Sequence, residues 1–458
     1  MDRAVAADLD TWIEEPARRP LILRGARQVG KTWLVRDLAR RHGRDLVEVN
    51  FERDPRLARP FVEGEPRSIL GELQIALERD FDLERVLLFL DEIQAAPRTL
   101  ARLRWFAEEL PDLPVVAAGS LLDFVLAEHD FSMPVGRIGY GYLGPMRFDE
   151  YLAAHDQRRL LEHLRAWNPG APMSSLVHEK ATEWFDRYVM VGGMPAVVAL
   201  DVAGREPRAC RALQRDLVVA YRDDFAKYAG RLEVEIIDAT LSSIANQIGQ
   251  KFVYSRVQEG VRHTLAKQAL ELLAKARLCH VVAHSAANGL PLAGEINPRL
   301  RKVVLVDVGL LHAILGTPAR DAFPSWTSLS ARVRGRLAEQ VVAQQLATMG
   351  APWEEPRLFY WQRTGGRPGE IDYLLQVGLH VVPIELKSGA AGAMKSLHQF
   401  VHDKGLDLAV RLDRNPPSFQ VLDLSTTLGD HVRYRLLSLP HYLSWRVPVL
   451  VERSYDAS

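Results

Sequence analysis

The sequence predicts an α/β protein with a parallel β-sheet in its amino-terminal third. Residues 19–150 alternate short apolar runs with helical patterns, and this alternation is typical of a parallel sheet with crossover helices. A glycine-rich stretch separates the first apolar run from the first helical pattern. Later segments add helices and then further α/β elements.

Composition indicates a globular protein of several domains. The chain has 458 residues, and a domain typically holds roughly 100–200 residues. Lys plus Arg is 58 and Asp plus Glu is 58, so the net charge is zero, the chain as a whole is not a polybasic nucleic-acid tail, and any basic surface must be local. The two cysteines, Cys210 and Cys279, exclude a disulfide framework and a four-cysteine zinc site. The sequence has no long apolar run and no signal-peptide pattern, so we expect a cytoplasmic protein without a membrane span.

Changes of pattern divide the chain into four predicted regions. They are a parallel-sheet domain at 1–150, a helical lid or linker at 151–230, a region of helices and two β-like runs at 231–312, and an α/β domain at 313–458. Pro318 and Pro324 indicate a linker at the start of the last region.

The glycine-rich stretch is a candidate phosphate-binding loop. Its residues are Gly25, Ala26, Arg27, Gln28, Val29, Gly30, Lys31 and Thr32, a complete G-x-x-x-x-G-K-[ST] motif. A glycine-rich turn between a strand and a helix directs backbone N–H groups toward phosphates. We expect Lys31 to contact the β- and γ-phosphates of ATP and the Thr32 hydroxyl to hold Mg²⁺.

Two acids follow the buried-strand run at 86–90. A carboxylate at this strand end suits the Mg²⁺ water shell, which we assign to Asp91. The adjacent Glu92 is placed to polarise an attacking water. Both acids are also consistent with a solvated helix start, but a complete phosphate loop upstream favours the catalytic interpretation.

Two further residues are candidates for the same site. Ser120 follows the strand at 114–118 and can sense the γ-phosphate or simply cap a helix. Arg137 lies beyond that strand and can act as a finger on the nucleotide of a neighbouring subunit. A surface arginine without this role fits the sequence equally well. The expectation of a homo-oligomer therefore depends on the finger role of Arg137.

Several motifs together resemble one known family. GARQVGKT, FLDEIQ, AAGS, VGR with GPMRFDEYL, and YVMVGGMPAVV are similar to the bacterial and archaeal AAA-type ATPases that carry a C-terminal domain of unknown function. The resemblance covers roughly residues 18–390. It implies an ATP-hydrolysing P-loop domain, a winged helix-turn-helix and a restriction-endonuclease-like fold. The family pattern also includes Lys302, Asp307 and Gly309, but the sequence suggests no chemical role for them.

The third region fits the order of a winged helix-turn-helix. Predicted helices at 236–249 and 262–277 precede β-like runs at 279–284 and 302–308. Such a domain reads duplex DNA with its second helix in the major groove. Residues 231–284 carry seven Lys and Arg against five Asp and Glu, a weak footprint for DNA binding. A winged helix used for protein contacts or lid motion fits equally well.

The last region contains a candidate metal site. Alternation along two predicted strands puts Glu385 and Lys387 on one face, and Asp372 lies on the paired strand. This set resembles the PD-(D/E)xK nuclease signature, and Glu339 on the preceding helix matches the helix acid of that fold. The acids would hold a second Mg²⁺ or Mn²⁺ while the lysine orients water. A salt-bridged surface on an inactive fold is the alternative.

Three functions are consistent with these motifs. The first is a Mg²⁺-dependent ATPase that drives a nucleic-acid-engaging C-terminal half, with DNA favoured over RNA as partner. The second is an ATP-regulated metal-dependent nuclease. The third is a scaffold that binds ATP only to fix a conformation, and the intact Glu92 argues against it.

Overall fold

Two β-sheets organise the part of the chain that the computed structural model describes. The described residues are 2–119, 136–228, 230, 232–317, 329–365, 368–389 and 394–456. A five-stranded sheet forms the amino-terminal part and an eight-stranded sheet forms the carboxy-terminal half. Along the chain, seven α-helices separate the last strand of the first sheet from the first strand of the second within the described residues.

The amino-terminal sheet is parallel throughout, as the alternating pattern predicts. Its strands are β1 (Leu21–Arg24), β2 (Asp45–Asn50), β3 (Val86–Asp91), β4 (Val115–Ala118) and β5 (Gly139–Tyr142), in the order β2-β3-β4-β1-β5. Its helices are α1 (Ala6–Glu14), α2 (Lys31–Arg41), α3 (Pro60–Glu63), α4 (Pro66–Ala76) and α5 (Thr99–Glu109). Because all five strands run in one direction, their carboxyl ends share one edge, where ligands of such sheets bind.

Helices follow the first sheet, in agreement with the prediction for residues 151–230. They are α6 (Phe148–Ala154), α7 (Arg158–Ala166), α8 (Ser175–Val191), α9 (Pro195–Val202), α10 (Pro207–Tyr228), α11 (Val234–Gln247) and α12 (His263–Lys275). Proline at the first position of α9 suits a helix start, because that N–H has no partner within the helix. The predicted boundary at residue 150 falls inside α6.

The eight-stranded sheet is mixed. Its strands are β6 (Cys279–Ser285), β7 (Ile296–Leu305), β8 (Leu358–Gln362), β9 (Glu370–Val377), β10 (His380–Leu386), β11 (Leu408–Asp413), β12 (Ser418–Ser425) and β13 (His431–Pro440), in the order β12-β13-β11-β10-β9-β8-β6-β7. The associated helices are α13 (Val308–Ile314), α14 (Ala331–Thr348), α15 (Lys395–Lys404) and α16 (Val447–Asp456).

The two β-like runs of the third region join this second sheet. Strands β6 and β7 pair antiparallel, as the strands of a wing would, and β6 also pairs in parallel with β8. The predicted boundary at residue 312 therefore separates strands of one sheet. The linker prolines Pro318 and Pro324 lie outside the described residues.

No helix within the described ranges is long and apolar enough to cross a membrane.

Candidate functional site

The glycine-rich stretch forms the turn between β1 and α2. Gly25 adopts φ 154° and Gly30 adopts φ 98°, backbone conformations that favour glycine. A Cβ atom on Gly25 would lie 2.2 Å from the carbonyl oxygen of Leu143, so only glycine fits there. The first residues of α2 are Lys31 and Thr32, which places the helix amino terminus at the phosphate-binding motif.

Lys31 is buried at the base of this loop. Its ammonium donates hydrogen bonds to the carbonyl oxygens of Gly25 and Ala26, each at 2.9 Å. Burial lowers the pKa of Lys31 to about 8, while the carboxylates of Glu92 and Asp91 act in the opposite direction. A phosphate group would supply the negative charge that this buried ammonium lacks.

Thr32 and Asp91 meet across the sheet edge. The Thr32 hydroxyl donates to Asp91 Oδ2 at 3.2 Å, and the Asn50 amide donates to the same oxygen at 3.3 Å. Burial raises the pKa of Asp91, and the neighbouring Glu92 carboxylate adds to this effect. A hydroxyl beside a carboxylate is the hard oxygen donor set that Mg²⁺ prefers, so these residues fit a magnesium ion bound with ATP.

Glu92 follows β3 in a left-handed conformation with φ 52°. Such a conformation is uncommon for a residue other than glycine and often occurs at active sites. Its carboxylate accepts a hydrogen bond from the Gln94 amide. The Gln94 Oε1 atom is buried without a hydrogen-bond partner among the described residues, and it lies close to Gly119 at the end of β4.

Sequence reasoning missed Asn50 and Gln94. Asn50 ends β2, and register pairs it with Asp91 on β3. The available signal in the sequence was a polar residue at the end of β2, the strand before β3 along the chain, because β3 ends at Asp91. Gln94 is part of the FLDEIQ motif, but its proximity to Glu92 depends on the turn that follows β3.

Of the remaining two candidates of the ATP site, the structure describes only Arg137. Ser120 falls outside the described residues. Arg137 precedes β5, whose first residue pairs with Leu21 at the start of β1, so it lies at the edge of the sheet opposite the phosphate loop. Its guanidinium forms an ion pair with Glu108 at 3.0 Å, and its side chain is 56% exposed. Arg137 is therefore remote from the phosphate loop of its own chain.

Side chains distant in sequence hold the phosphate loop in place. Buried Arg3 donates to the carbonyl oxygen of Val29 at 2.8 Å and to the Glu150 carboxylate at 3.0 Å. Arg27 forms an ion pair of 2.7 Å with Asp224 on α10. These contacts connect the loop to the helical region, and no local sequence pattern indicates them.

The structure brings the four residues of the candidate metal site near one another. Register between β9 and β10 pairs Ile384 with Tyr373, which brings Glu385 beside Asp372. The Asp372 Oδ2 atom accepts a hydrogen bond of 2.7 Å from the Leu386 N–H.

The charged groups around Asp372 are largely buried. Glu385 forms an ion pair with Lys387 at 2.5 Å, and Glu339 on α14 is 7% exposed. Burial raises the pKa of both Glu339 and Glu385 to about 7, and the nearby Asp372 carboxylate contributes to each shift.

Lys302 joins this cluster, although the sequence suggested no role for it. Its ammonium lies 2.8 Å from Glu339 Oε1, 3.7 Å from Asp372 Oδ1 and in contact with Glu370. Burial alone would lower the pKa of Lys302, but the carboxylates of Glu339, Asp372 and Glu370 raise it above its ordinary value. No group of three or more His, Cys, Asp or Glu side chains in the described ranges is arranged to hold a metal ion. The Lys302 ammonium contacts two of the carboxylates that a second divalent cation would need at this site.

Comparison with protein families matches three parts of the chain. Residues 17–152 match the AAA domain family. Residues 182–321 match a domain of unknown function, DUF8612, and residues 334–415 match another, DUF4143. A search of curated proteins finds no match.

Solved structures with some similarity share little sequence with this chain. They include the ORC1 protein of Aeropyrum pernix in complex with DNA, at 17% identity over 70% of this chain and 93% of that chain, with a TM-score of 0.28. PCH-2 of C. elegans has 13% identity over 43% of this chain and 61% of that chain, with a TM-score of 0.27. The ORC2 protein of Aeropyrum pernix, in ADPNP–ADP complexes, has 15% identity over 61% and 88%, with a TM-score of 0.25. At these TM-scores none of them indicates a function for this chain.

The family match and the loop geometry agree on the amino-terminal part. The AAA match spans the whole parallel sheet, the phosphate loop and both strand-end acids. The amino-terminal part of the chain has a parallel-sheet, P-loop-like domain that matches the AAA family, which supports an ATPase of the AAA type.

Proposed function

We propose that this protein is a Mg²⁺-dependent ATPase whose hydrolysis of ATP drives a C-terminal half that engages nucleic acid. The observation that carries the ATPase proposal is the meeting of Thr32 and Asp91 beside the phosphate loop, with Glu92 next to them. A phosphate loop, a hydroxyl and two acids are the parts that phosphoryl transfer to water needs.

Each residue of this site has a role that follows from its position. Backbone N–H groups of the loop bind phosphate oxygens, and Lys31 offsets the charge on the β- and γ-phosphates. Thr32 and Asp91 would hold Mg²⁺, which offsets further phosphate charge when bound. Glu92 accepts a proton from the attacking water, and Gln94 orients the Glu92 carboxylate.

A local excess of positive charge supports the nucleic-acid part of the proposal. Residues 251–301 carry eight Lys and Arg against three Asp and Glu, although the whole chain is neutral. The exposed cations of this segment are Lys251, Arg256, Arg262, Lys267, Lys275 and Arg299. Phosphate backbones bind such surfaces with an affinity that falls as salt rises. DNA is favoured over RNA because helix α12 with the β6–β7 hairpin fits the order of a winged helix.

The position of Lys302 favours this function over an ATP-regulated nuclease. A nuclease of the PD-(D/E)xK type would need Glu339, Asp372 and Glu385 for a divalent cation. Two of these acids contact the Lys302 ammonium instead. A scaffold that binds ATP without turnover would leave Glu92 without a role.

A single assay separates the three functions. ATP hydrolysis and nucleic-acid cleavage are measured with Mg²⁺, with and without single- and double-stranded DNA, for wild type, Lys31→Ala and Glu92→Gln. We expect Lys31→Ala to lose ATP binding, and Glu92→Gln to bind ATP without hydrolysing it. Equal hydrolysis by wild type and Glu92→Gln would remove Glu92 from its role, and DNA cleavage would establish the nuclease.

A further inference from the structure

A lysine lies among the carboxylates of the candidate metal site. Lys302 is on β7 and is 2% exposed. Its ammonium contacts Glu339 on α14 together with Glu370 and Asp372 on β9. Two structural elements, α14 and β9, therefore direct three carboxylates at one buried cation.

An ammonium and a divalent cation have similar requirements in this environment. The ammonium has three N–H donors, and three carboxylates surround Lys302. Mg²⁺ and Mn²⁺ also bind carboxylate oxygens, at about 2.0–2.2 Å, and prefer six oxygen ligands. A metal ion among the same carboxylates would have to displace the ammonium or lie beside a buried positive charge, which repels it.

Two further carboxylate oxygens of the cluster have donors of their own. Asp372 Oδ2 accepts from the Leu386 N–H at 2.7 Å, and Glu385 Oε1 contacts the Lys387 ammonium at 2.5 Å. Glu385 Oε2 is buried without a hydrogen-bond partner in the part of the chain that is described. A divalent cation would have to compete with these donors for the oxygens of Asp372 and Glu385.

We propose that the Lys302 ammonium takes the place of a divalent cation in this cluster, so that the C-terminal half works without bound metal. The cluster then acts as an internal ion network that joins the β6–β7 hairpin to α14 and β9. This proposal is independent of ATP hydrolysis, because none of its residues belongs to the phosphate site.

Binding of Mn²⁺ to the nucleotide-free, full-length protein tests the proposal, with free Mn²⁺ measured by electron paramagnetic resonance. Wild type and Asp372→Asn should bind Mn²⁺ equally weakly, because no site uses Asp372. Lys302→Met removes the ammonium but keeps a long side chain. This variant should gain a site that binds Mn²⁺ at least about tenfold more tightly than wild type does. Adding Asp372→Asn to Lys302→Met should abolish that site.

Lys180→Met is the matched control, because Lys180 forms an exposed ion pair with Glu183 on α8. Its Mn²⁺ binding should equal that of wild type. Mn²⁺ binding by wild type that Asp372→Asn abolishes would overturn the proposal, and this comparison does not depend on whether Lys302→Met folds. A folded Lys302→Met protein that gains no Mn²⁺ site would overturn it as well.

Discussion

The backbone N–H of Gly193 donates a hydrogen bond of 2.6 Å to the carboxylate of Asp307, which lies 114 residues later in the chain. Asp307 is completely buried and also accepts from the N–H groups of Gly309 and Leu310. The Gln344 amide on α14 donates to the same carboxylate at 3.0 Å. One carboxylate therefore joins the GGMP motif, the end of β7 and the helix that carries Glu339.

This junction extends to the AAA domain. The Tyr188 hydroxyl accepts from the amides of Gln344 and Gln345 and donates to the carbonyl oxygen of Met146. Gln345 also accepts from the Phe148 N–H at the start of α6. Helix α14 thus contacts the segment that follows β5 through its glutamines, and it contacts the Lys302 cluster through Glu339. A movement of α6 relative to the phosphate loop would therefore be transmitted to the C-terminal half through the contacts of α14.

Substitution of Asp307 should change stability in a pH-dependent way. Burial raises the pKa of Asp307 to about 6, although the hydrogen bonds from Gly193, Leu310 and Gln344 oppose this. The folded state then holds the proton more tightly than the unfolded state. The stability due to this proton is full below about pH 4 and is lost as pH rises through 6, a change of about 3 kcal/mol. The thermal unfolding midpoint of Asp307→Asn should lack this decline between pH 4 and 6.

The same variant should also be less stable than wild type at pH 7. The NH₂ group of asparagine replaces one carboxylate oxygen, so one of the backbone N–H donors loses its acceptor. An unpaired buried donor costs about 1–3 kcal/mol of folding stability. Asp216→Asn, an exposed substitution on α10, is the matched control and should unfold as wild type does. A pH profile of Asp307→Asn that follows the wild-type curve would contradict the prediction.

Loss of the Gln94 amide should slow hydrolysis without weakening ATP binding. Gln94 donates to the Glu92 carboxylate, and a hydrogen bond to a charged group contributes about 1.5–3 kcal/mol. We therefore expect Gln94→Leu to lower kcat by about tenfold or more at unchanged ATP affinity. Gln74→Leu on α4, which removes a hydrogen bond to the Phe81 carbonyl, is the control. An unchanged kcat in Gln94→Leu would show that Glu92 needs no such partner.

Arg137 should act on a neighbouring subunit if the protein is an oligomer. Its place at the opposite edge of the sheet keeps it away from its own phosphate loop. Arg137→Ala should then lower kcat on the order of a thousandfold, as loss of an arginine finger does. Mixing Arg137→Ala with Glu92→Gln subunits should restore part of the activity, because one interface then contains both intact groups.

Arg104→Ala is the control for Arg137, since Arg104 contacts the same Glu108 carboxylate at 3.1 Å. Arg104→Ala subunits assayed without other variants should retain the wild-type rate of ATP hydrolysis. A monomeric protein with the full ATPase rate would contradict a role for Arg137 in a neighbouring site.

The phosphate site could be predicted from sequence because its parts are local. The loop is one contiguous motif, and Asp91 and Glu92 end a strand whose buried run is visible in the sequence. The edge at which Arg137 lies could not be predicted, because it depends on the register between β1 and β5. The winged-helix and restriction-endonuclease-like assignments stay predictions, since the matched families are described only as domains of unknown function.

The C-terminal cluster was predictable only in part. Strand alternation and the hairpin indicated a shared face for Asp372, Glu385 and Lys387, and the structure places Glu385 beside both Asp372 and Lys387. Lys302 comes from a strand more than 60 residues earlier, and it reaches the cluster only because β6 pairs with β8. A lysine within an apolar run that becomes a buried strand was the available signal, because a buried ammonium requires acidic partners.

The basic segment at 251–301 should bind DNA through its phosphates. Arg262 and Lys267 are exposed at the start of helix α12, which would enter the major groove of a winged-helix complex. The double substitution to Glu should weaken duplex binding and reduce the slope of log affinity against log salt by about 0.9 per lost phosphate contact. Fluorescence anisotropy with duplex DNA between 50 and 200 mM salt measures both effects.

Arg158→Glu, an exposed charge reversal on α7, serves as the control and should leave the affinity unchanged. Without nucleotide, EDTA should also leave DNA binding unchanged, because Lys302 rather than a metal ion offsets the carboxylates of the C-terminal cluster. Affinity that is equal in wild type and the double variant would place the nucleic-acid surface elsewhere. Affinity that disappears with EDTA would instead require a metal ion at the interface, contrary to the charge balance of the cluster.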